Sequence, residues 1–196
     1  MVLMGLTGSI GMGKSTTAKL FEEEGCVVWD ADNAVHRLYA KGGAAVPLIQ
    51  DIFPEAIQDG YVSRTILREI IARQPDALKK IESVVHPLVA QDRARFAEKA
   101  VGDVIVFDIP LLFENSLEQN FDKVICVSVD PKTQQNRVLA RGNMTEADFD
   151  RILSHQMSDE EKRRKSDYVI VTDTIENARA SVREILREVR IKEGNA

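Results

Sequence analysis

The chain has 196 residues, of which 44% are hydrophobic and 29% are charged, and this balance indicates a folded globular protein rather than a disordered one. Its 26 Lys and Arg residues against 31 Asp and Glu residues give a net charge of −5, which argues against a broad nucleic-acid-binding surface. No apolar run approaches the roughly 18 residues of a membrane-spanning helix. Cys26 and Cys126 lie inside apolar runs, as buried thiols of a reducing compartment do, and a single disulfide between them is the alternative. We therefore expect a cytoplasmic protein without nucleic-acid or membrane partners; its oligomeric state stays open, with a monomer favoured.

Five short apolar runs predict the buried strands of a parallel sheet. Helix-length segments separate them, and this alternation indicates an α/β fold with a three-layer α/β/α core. In such sheets the ligands gather at the carboxyl ends of the strands, so we expect the chemistry there. The predicted strands are residues 2–6, 26–29, 104–107, 124–129 and 168–171.

A glycine-rich segment follows the first predicted strand. Residues 8–16 read GSIGMGKST, which fits the phosphate-binding pattern G-x-x-x-x-G-K-[ST], and a helix over residues 15–24 is expected to follow. In this setting backbone N–H groups and the helix N-terminus surround phosphate oxygens, while Lys14 brings positive charge to the β- and γ-phosphates and Ser15 ligates Mg²⁺. The residues predicted to bind ATP in this phosphate loop are Gly8, Gly11, Met12, Gly13, Lys14, Ser15 and Thr16.

Two carboxylates, Asp30 and Asp32, follow the second predicted strand. The phosphate loop indicates a nucleoside triphosphate but leaves a kinase, a GTPase and a motor ATPase open. Of these, a kinase needs a carboxylate that orients the acceptor hydroxyl and accepts its proton, because phosphoryl transfer depends mostly on positioning and charge stabilisation. We assign this catalytic role to Asp32. The alternative is that one of these acids only caps the helix that begins near Asn33.

Residues 33–102 contain no strand-like run and predict a helical insertion. Ser63 can cap one helix, and Pro75 and Pro87 are each expected to open another. His86 would then lie between two helices, either as a substrate contact or as a helix-entry residue. The helices predicted here cover residues 64–72, 76–84 and 88–100.

Asp108 ends the third predicted strand, where an acid commonly supports Mg²⁺ at a phosphate loop. The alternative is an acid that only caps its own loop. The apolar residues 110–113 are expected to pack beneath the insertion, with Glu114 exposed to solvent. Ile109 stands where a motor ATPase has a second acid, and no Asn-Lys-x-Asp guanine signature occurs, so a motor and a GTPase are both disfavoured.

Residues 131–165 are rich in mixed charges and predict a helical lid. Thr145 and Ser158 mark two helix starts, because each is followed three residues later by an acid. The basic run 162–165 is interpreted as a solvated charge run. A last helix over residues 175–191 carries apolar residues at helical spacing and is expected to close the core.

Three arginines of this lid are candidates for phosphate contacts. Arg137 and Arg141 are four residues apart on one predicted helical face, and Arg151 on the next helix can converge on the same phosphate. Arginine suits this task because its planar guanidinium binds two phosphate oxygens at once. We assign Arg141 to catalysis and Arg137 to ATP binding; the alternative is that each pairs with a nearby acid on a solvated face.

Together these residues resemble the dephospho-CoA kinase family, and the similarity runs over most of the chain. It is more specific than the phosphate loop alone, because several short motifs match in the same order. The matching pieces are residues 8–16, residues 30–32 with His36, residues 86–87, residues 108–114, and Arg137, Arg141, Arg151 and Gln156.

The resemblance implies transfer of the γ-phosphoryl group of ATP to the ribose 3′-hydroxyl of dephospho-CoA, with Mg²⁺ present and Asp32 as the base. It also implies a P-loop core, a helical substrate-binding insertion and a mobile lid. It implies acceptor contacts at Asp32, His86, Leu111 and Arg151. Asp173, expected near the nucleotide, follows the fifth strand at a place where the family often has Asn.

The sequence leaves two alternatives open. Another P-loop kinase could use a nucleoside or nucleotide acceptor, because the loop and the lid do not identify the acceptor. An ATP-binding switch with slow, partner-controlled turnover is the second alternative. The organisation expected for the chain is a nucleotide-binding core of residues 1–32, 103–130 and 166–196, an insertion of residues 33–102 and a lid of residues 131–165.

Overall fold

The computed structural model describes residues 1–142 and 144–194. The strands are β1 (Val2–Thr7), β2 (Val27–Asp30), β3 (Ile57–Gln58), β4 (Tyr61–Val62), β5 (Val104–Asp108), β6 (Lys123–Ser128) and β7 (Tyr168–Val171). The α-helices are α1 (Lys14–Glu23), α2 (Ala31–Tyr39), α3 (Ala45–Ile52), α4 (Arg64–Arg73), α5 (Ala77–Lys99), α6 (Pro131–Leu139), α7 (Glu146–Ser154), α8 (Asp159–Lys165) and α9 (Ile175–Gly194). Single turns of 3₁₀ helix cover Pro54–Ala56 and Glu118–Asn120.

The Cα positions divide into two compact units. The first unit comprises Met1–Trp29 and Ala100–Ala196, and the second comprises Asp30–Lys99. Residues 131–165, expected to form a lid, belong to the same unit as the sheet.

The first unit is built on a five-stranded parallel sheet with the strand order β2-β5-β1-β6-β7. This confirms the predicted α/β fold and all five predicted strands. The central strands are mostly apolar because helices such as α1 and α9 pack against the sheet, with Phe21 and Val182 fully buried. β1 pairs with β5 in the register Leu6 to Asp108, so Asp108 ends next to the start of the phosphate loop.

The helices of the first unit begin and end where local chemistry predicts. α1 ends in a Schellman arrangement, in which the N–H of Cys26 donates to the carbonyl of Phe21 at 3.0 Å. The predicted cap at Thr145 is a complete capping box with Asp148. The hydroxyl of Ser158 accepts from the Glu161 N–H at 3.3 Å, which confirms the second predicted helix start of this segment.

The second unit is mostly helical, but it also contains a short hairpin that the sequence reading missed. β3 and β4 pair antiparallel, and Asp59 and Gly60 form the turn with φ angles of 47° and 84°. A two-residue turn with both φ angles positive favours an Asp-Gly pair, because glycine adopts this conformation without steric cost. The expectation of no strand between residues 33 and 102 was therefore wrong.

The long helix α5 corrects a second expectation. One helix of 23 residues spans the two that were predicted, and Pro87 lies inside it rather than at a helix start. A proline in a helix removes one backbone hydrogen bond but does not have to break the helix. Ile81, Val85 and Val89 pack into the core of the second unit on both sides of Pro87, and this packing keeps the helix continuous.

The predicted cap of α4 at Ser63 is confirmed, since its hydroxyl accepts from the Ile66 N–H.

Within the part of the chain that the structure describes, no helix is both long enough and apolar enough to cross a membrane. Both cysteines are buried free thiols, as predicted. Burial raises the pKa of the Cys126 thiol to about 12 and that of Cys26 to about 11. Neither thiol is therefore a nucleophile at neutral pH.

Candidate active site

The phosphate loop crosses from β1 to α1 at the carboxyl edge of the sheet. Gly13 precedes α1 with φ of 90°, and a Cβ added there would lie 2.9 Å from Oγ1 of Thr172. Both observations require glycine at this position. No side chain of the described residues caps the first turn of α1. Its N–H groups can therefore serve an anion, as expected for a phosphate-binding helix start.

A buried ion pair stands beside the loop. The Lys14 ammonium donates to Oδ1 of Asp108, whose side chain is only 2% exposed. The sequence analysis predicted that Lys14 contacts phosphates and that Asp108 supports Mg²⁺. In the structure the two side chains contact each other. Burial of either charge alone would be costly, so the pair holds both at the end of β5. Ser15 lies exposed in the first turn of α1.

The side chains here suit Mg²⁺ that is shared with phosphates. Among residues 1–142 and 144–194, no group of three or more His, Cys, Asp or Glu side chains could hold a metal ion. The hydroxyl of Ser15 and the carboxylate of Asp108 are hard oxygen donors, which Mg²⁺ prefers. A site with so few protein donors fits an ion that takes its remaining ligands from nucleotide phosphates and water.

A cavity of about 380 Å³ opens in front of the phosphate loop, and we call it the loop cavity. Six of the predicted site residues line it: Gly11, Gly13, Thr16, Arg137, Arg141 and Asp173. The sequence reading missed five others: Thr17, Thr172, Thr174, Ile175 and Ala178. The missed residues lie one turn into α1 and across the start of α9, and only the packing of these two helices reveals that they meet.

Thr172 connects the loop cavity wall to the phosphate loop. Its buried hydroxyl donates to the carbonyl of Met12 at 2.7 Å and accepts from Arg137 at 3.1 Å. Arg137 also donates to the Thr172 carbonyl at 2.6 Å. Arg137 thus ties α6 to the segment after β7. Nothing in the local sequence marks Thr172, because its burial as a polar residue at a strand end is seen only in the structure.

The side chains of two predicted ATP-binding residues are bound within the protein. The side chain of Met12 is buried in the core, where its sulfur accepts from the Val129 N–H at 3.2 Å. The carboxylate of Asp173 accepts from the Thr174 N–H at 2.8 Å and from the Asn177 amide at 3.1 Å. The Asn177 hydrogen bond, followed by that of Thr174, holds the pKa of Asp173 below its usual range. Asp173 therefore fixes the start of α9.

The lid arginines are arranged differently from the prediction. α6 ends at Leu139, so Arg141 lies beyond the helix and not on one helical face with Arg137. The chain turns there because the N–H groups of Arg141 and Gly142 donate to carbonyls of the last helical turn. Arg141 nevertheless lines the loop cavity with Arg137. Arg151 does not line it; this exposed side chain pairs with Asp148 at 2.7 Å, the alternative that the sequence left open.

The prediction that Lys162 and Glu114 are exposed to solvent was wrong. Lys162 is fully buried and pairs with Oε1 of Glu114 at 2.9 Å. Glu114 also accepts from the Met157 N–H at 2.8 Å. The basic run of α8 therefore has one inward member, and the acid after the apolar segment 110–113 has a buried partner.

Gln156 and Gln134 contact the phosphate loop directly. The side-chain oxygen of Gln156 accepts from the Ile10 N–H at 3.2 Å. The amide of Gln134 donates to the Ile10 carbonyl at 2.7 Å. The sequence reading included Gln156 only as part of a resemblance and missed Gln134. Both backbone groups of Ile10 are thus held by side chains of residues 131–165.

The acceptor-side candidates are exposed. In the second unit, α2 begins at Ala31 and Asp30 caps it, accepting from the Asn33 N–H at 2.7 Å. Asp32 lies exposed in the first turn and is not the cap. His86 is exposed within α5, so the idea that it opens a helix was wrong. In the first unit, Leu111 is 40% exposed although it is apolar.

Comparisons with known proteins identify the family of the chain. A model of the dephospho-CoA kinase family matches residues 2–177. A dephospho-CoA kinase of Ruegeria pomeroyi is 59% identical over 187 residues, which cover 95% of each chain. The structure of TT1252 from Thermus thermophilus has a TM-score of 0.84 at 29% identity, covering 95% of this chain and 97% of that one. For dephospho-CoA kinase from Campylobacter jejuni the TM-score is 0.72 at 26% identity, covering 99% of this chain and 98% of that one. The chain therefore belongs to the dephospho-CoA kinase family.

Proposed function

We propose that this chain transfers the γ-phosphoryl group of ATP to the ribose 3′-hydroxyl of dephospho-CoA, giving coenzyme A and ADP. Family membership makes it an ATP-dependent phosphotransferase of the P-loop kinase type. The observation that carries the proposal is the loop cavity, in which the phosphate loop and two arginines face one space. Of the loop residues between β1 and α1, only Gly11 and Gly13 line this cavity, with the two arginines, so it suits a nucleotide bound beside the loop. Phosphoryl transfer depends mostly on such positioning and on charge stabilisation.

On the nucleotide side, the phosphate loop and the first turn of α1 bind the phosphates through backbone N–H groups. Lys14 supplies positive charge at the phosphoryl group that is transferred, and Asp108 orients its ammonium. Arg137 and Arg141 border the loop cavity and complete the positive surroundings of the phosphates. Arg141 would stabilise the charge that spreads over the phosphoryl oxygens during transfer.

Mg²⁺ is the metal that these residues fit. Ser15 and Asp108 would hold it with the nucleotide, and it would supply charge neutralisation at the phosphates. The requirement is testable by removal, since chelation with EDTA is expected to abolish transfer and added Mg²⁺ to restore it.

On the acceptor side, Asp32 is proposed to orient the ribose 3′-hydroxyl and to accept its proton. Asp30 already caps α2, which leaves the exposed Asp32 available for this role. His86, Leu111 and Arg151 are proposed to contact dephospho-CoA. Their exposure supports this role, because an acceptor can reach exposed side chains without rearranging a core.

The remaining proposals concern organisation. We assign residues 33–102 to acceptor binding and residues 131–165 to a lid that closes over the nucleotide. We expect the protein to act as a monomer in the cytoplasm.

The test is a coupled assay of ADP release with several acceptors. The proposal predicts rapid release with dephospho-CoA and little with AMP or adenosine. Release that rises with AMP or adenosine but not with dephospho-CoA would instead support a nucleotide or nucleoside kinase. Tight ATP binding without transfer to any acceptor would support a nucleotide-binding switch.

A further inference from the structure

The ion pair between Glu114 and Lys162 is buried although local sequence gives no reason for it. Lys162 is 0% exposed, and its ammonium lies 2.9 Å from Oε1 of Glu114 and 3.5 Å from the carbonyl of Pro110. Glu114 Oε2 is also buried, and within the described part of the chain it has no hydrogen-bond partner. A pair kept only for stability would satisfy both oxygens, because burying a carboxylate is costly and apolar residues often replace such pairs without loss.

The pair reaches the phosphate loop in two steps. Oε1 of Glu114 accepts from the Met157 N–H at 2.8 Å, which fixes the backbone where the chain leaves α7. The preceding residue, Gln156, accepts from the Ile10 N–H at 3.2 Å. Adjacent residues are thus bound to the acid and to the loop. All of these contacts lie within the first unit.

We propose that the Glu114–Lys162 pair is a positioning device for the phosphate loop, acting through Met157 and Gln156. Lys162 fixes the Glu114 carboxylate, and this carboxylate accepts from the Met157 N–H. The side-chain oxygen of the adjacent Gln156 is thereby positioned to accept from the Ile10 N–H. A loop already held in one conformation loses less conformational freedom when it binds phosphates, so the pair raises ATP affinity without touching the nucleotide. The inference rests on the proposed function only in assuming that the loop binds ATP.

Two double variants separate positioning from charge burial. Glu114→Gln with Lys162→Met removes both charges but keeps a side-chain oxygen that can accept from Met157. Glu114→Leu with Lys162→Met removes both charges and this acceptor. Isothermal titration with Mg²⁺ and a non-hydrolysable ATP analogue gives the Kd without any acceptor substrate, and circular dichroism with thermal melting shows whether each variant is folded.

We expect the Leu/Met variant to bind the analogue about tenfold more weakly, which is about 1.4 kcal/mol. The Kd of the Gln/Met variant should stay within about threefold of the parent value, because its side-chain oxygen can still accept from the Met157 N–H; on this scale about 1.4 kcal/mol is a tenfold change. In a double-mutant cycle, Gln156→Ala should cost about tenfold in the parent and little in the Leu/Met background, because the loop contact is already lost there. Additive losses would overturn the proposal.

Lys123→Met is the matched control. Lys123 also pairs with an acid at 2.9 Å in the first unit, but both partners are more than a third exposed, so no change in Kd is expected. Equal Kd values for folded parent and Leu/Met variant would overturn the proposal.

If the Leu/Met variant does not fold, Gln156→Leu decides in its place, since an unchanged Kd there removes the link to the loop. A protein that binds the analogue as expected but does not phosphorylate dephospho-CoA would contradict the proposed acceptor and leave this inference intact.

Discussion

The nucleotide side and the acceptor side of this enzyme are built differently. Around the phosphate loop, polar side chains have partners within the protein: Lys14 pairs with the buried Asp108, and the buried Thr172 hydroxyl donates to the Met12 carbonyl. The acceptor candidates Asp32 and His86 are exposed. The difference indicates that the phosphate site is organised by the core itself, whereas the acceptor residues depend on the substrate for their contacts. Substitutions on the nucleotide side should therefore change both binding and stability, and those on the acceptor side should change activity alone.

The largest effect is expected for Lys14→Ala. It removes the charge that is proposed to face the transferred phosphoryl group, so kcat/KM should fall on the order of 10³-fold. It also leaves the buried Asp108 without its lysine partner, and stability should fall by about 3 kcal/mol. Steady-state kinetics and urea denaturation measure the two losses.

Lys123→Ala, on an exposed pair, is the control and should change neither the rate nor the stability by much. An unchanged rate in Lys14→Ala would contradict the assignment.

Asp32→Asn should be the next largest, with the opposite signature. Loss of the proposed base should lower kcat on the order of 10²-fold, because proton transfer by a positioned side chain is worth at least that much. ATP affinity and thermal stability should not change, since Asp32 is exposed and does not cap α2. Asp30→Asn is the matched control, because asparagine caps a helix about as well as aspartate. Equal activity in the two variants would remove Asp32 from the mechanism.

Thr172→Val is expected to have an intermediate effect on the nucleotide side. It removes the hydroxyl that donates to the Met12 carbonyl and accepts from Arg137. An unsatisfied buried group costs about 1–3 kcal/mol of stability. The phosphate loop also loses an anchor at Met12, so we expect KM for ATP to rise about tenfold, the change that 1.4 kcal/mol produces. Thr172→Ser keeps the hydroxyl and should remain near the parent. A valine variant with a normal KM for ATP would show that the phosphate loop does not need this bond.

Arg151→Ala should have the smallest effect and tests the acceptor side. Its pair with Asp148 is exposed, so stability should change by about 0.5 kcal/mol or less. If it contacts dephospho-CoA, KM for that substrate should rise several-fold while KM for ATP stays the same. Kinetics at varied dephospho-CoA concentration measure this. A KM for dephospho-CoA equal to that of the parent would leave Arg151 as a surface residue only.

The sequence predicted what local patterns determine. The five strands are short apolar runs, the phosphate loop is a contiguous motif, and the caps at Ser63 and Thr145 are read within four residues. The Asp59-Gly60 turn carried a local signal as well, but its strands are only two residues long. Such short strands give no recognisable alternation.

The sequence could not predict what depends on residues far apart in the chain. Lys162 sits in a run of basic residues and resembles a solvated side chain, and only its contact with Glu114 explains its burial. Thr172 likewise gains its role from Met12, near the other end of the chain. Pro87 is read locally as a helix start, and tertiary packing of α5 overrides that signal.

The phosphate loop is proposed to hold ATP so that its γ-phosphoryl group is transferred to dephospho-CoA. The most direct test follows labelled γ-phosphate from ATP by mass spectrometry, with the parent protein and with Lys14→Ala. We expect the label on the ribose 3′-oxygen of the product with the parent and almost none there with the variant. Label found only as free phosphate, or on a product formed equally well without Lys14, would contradict it.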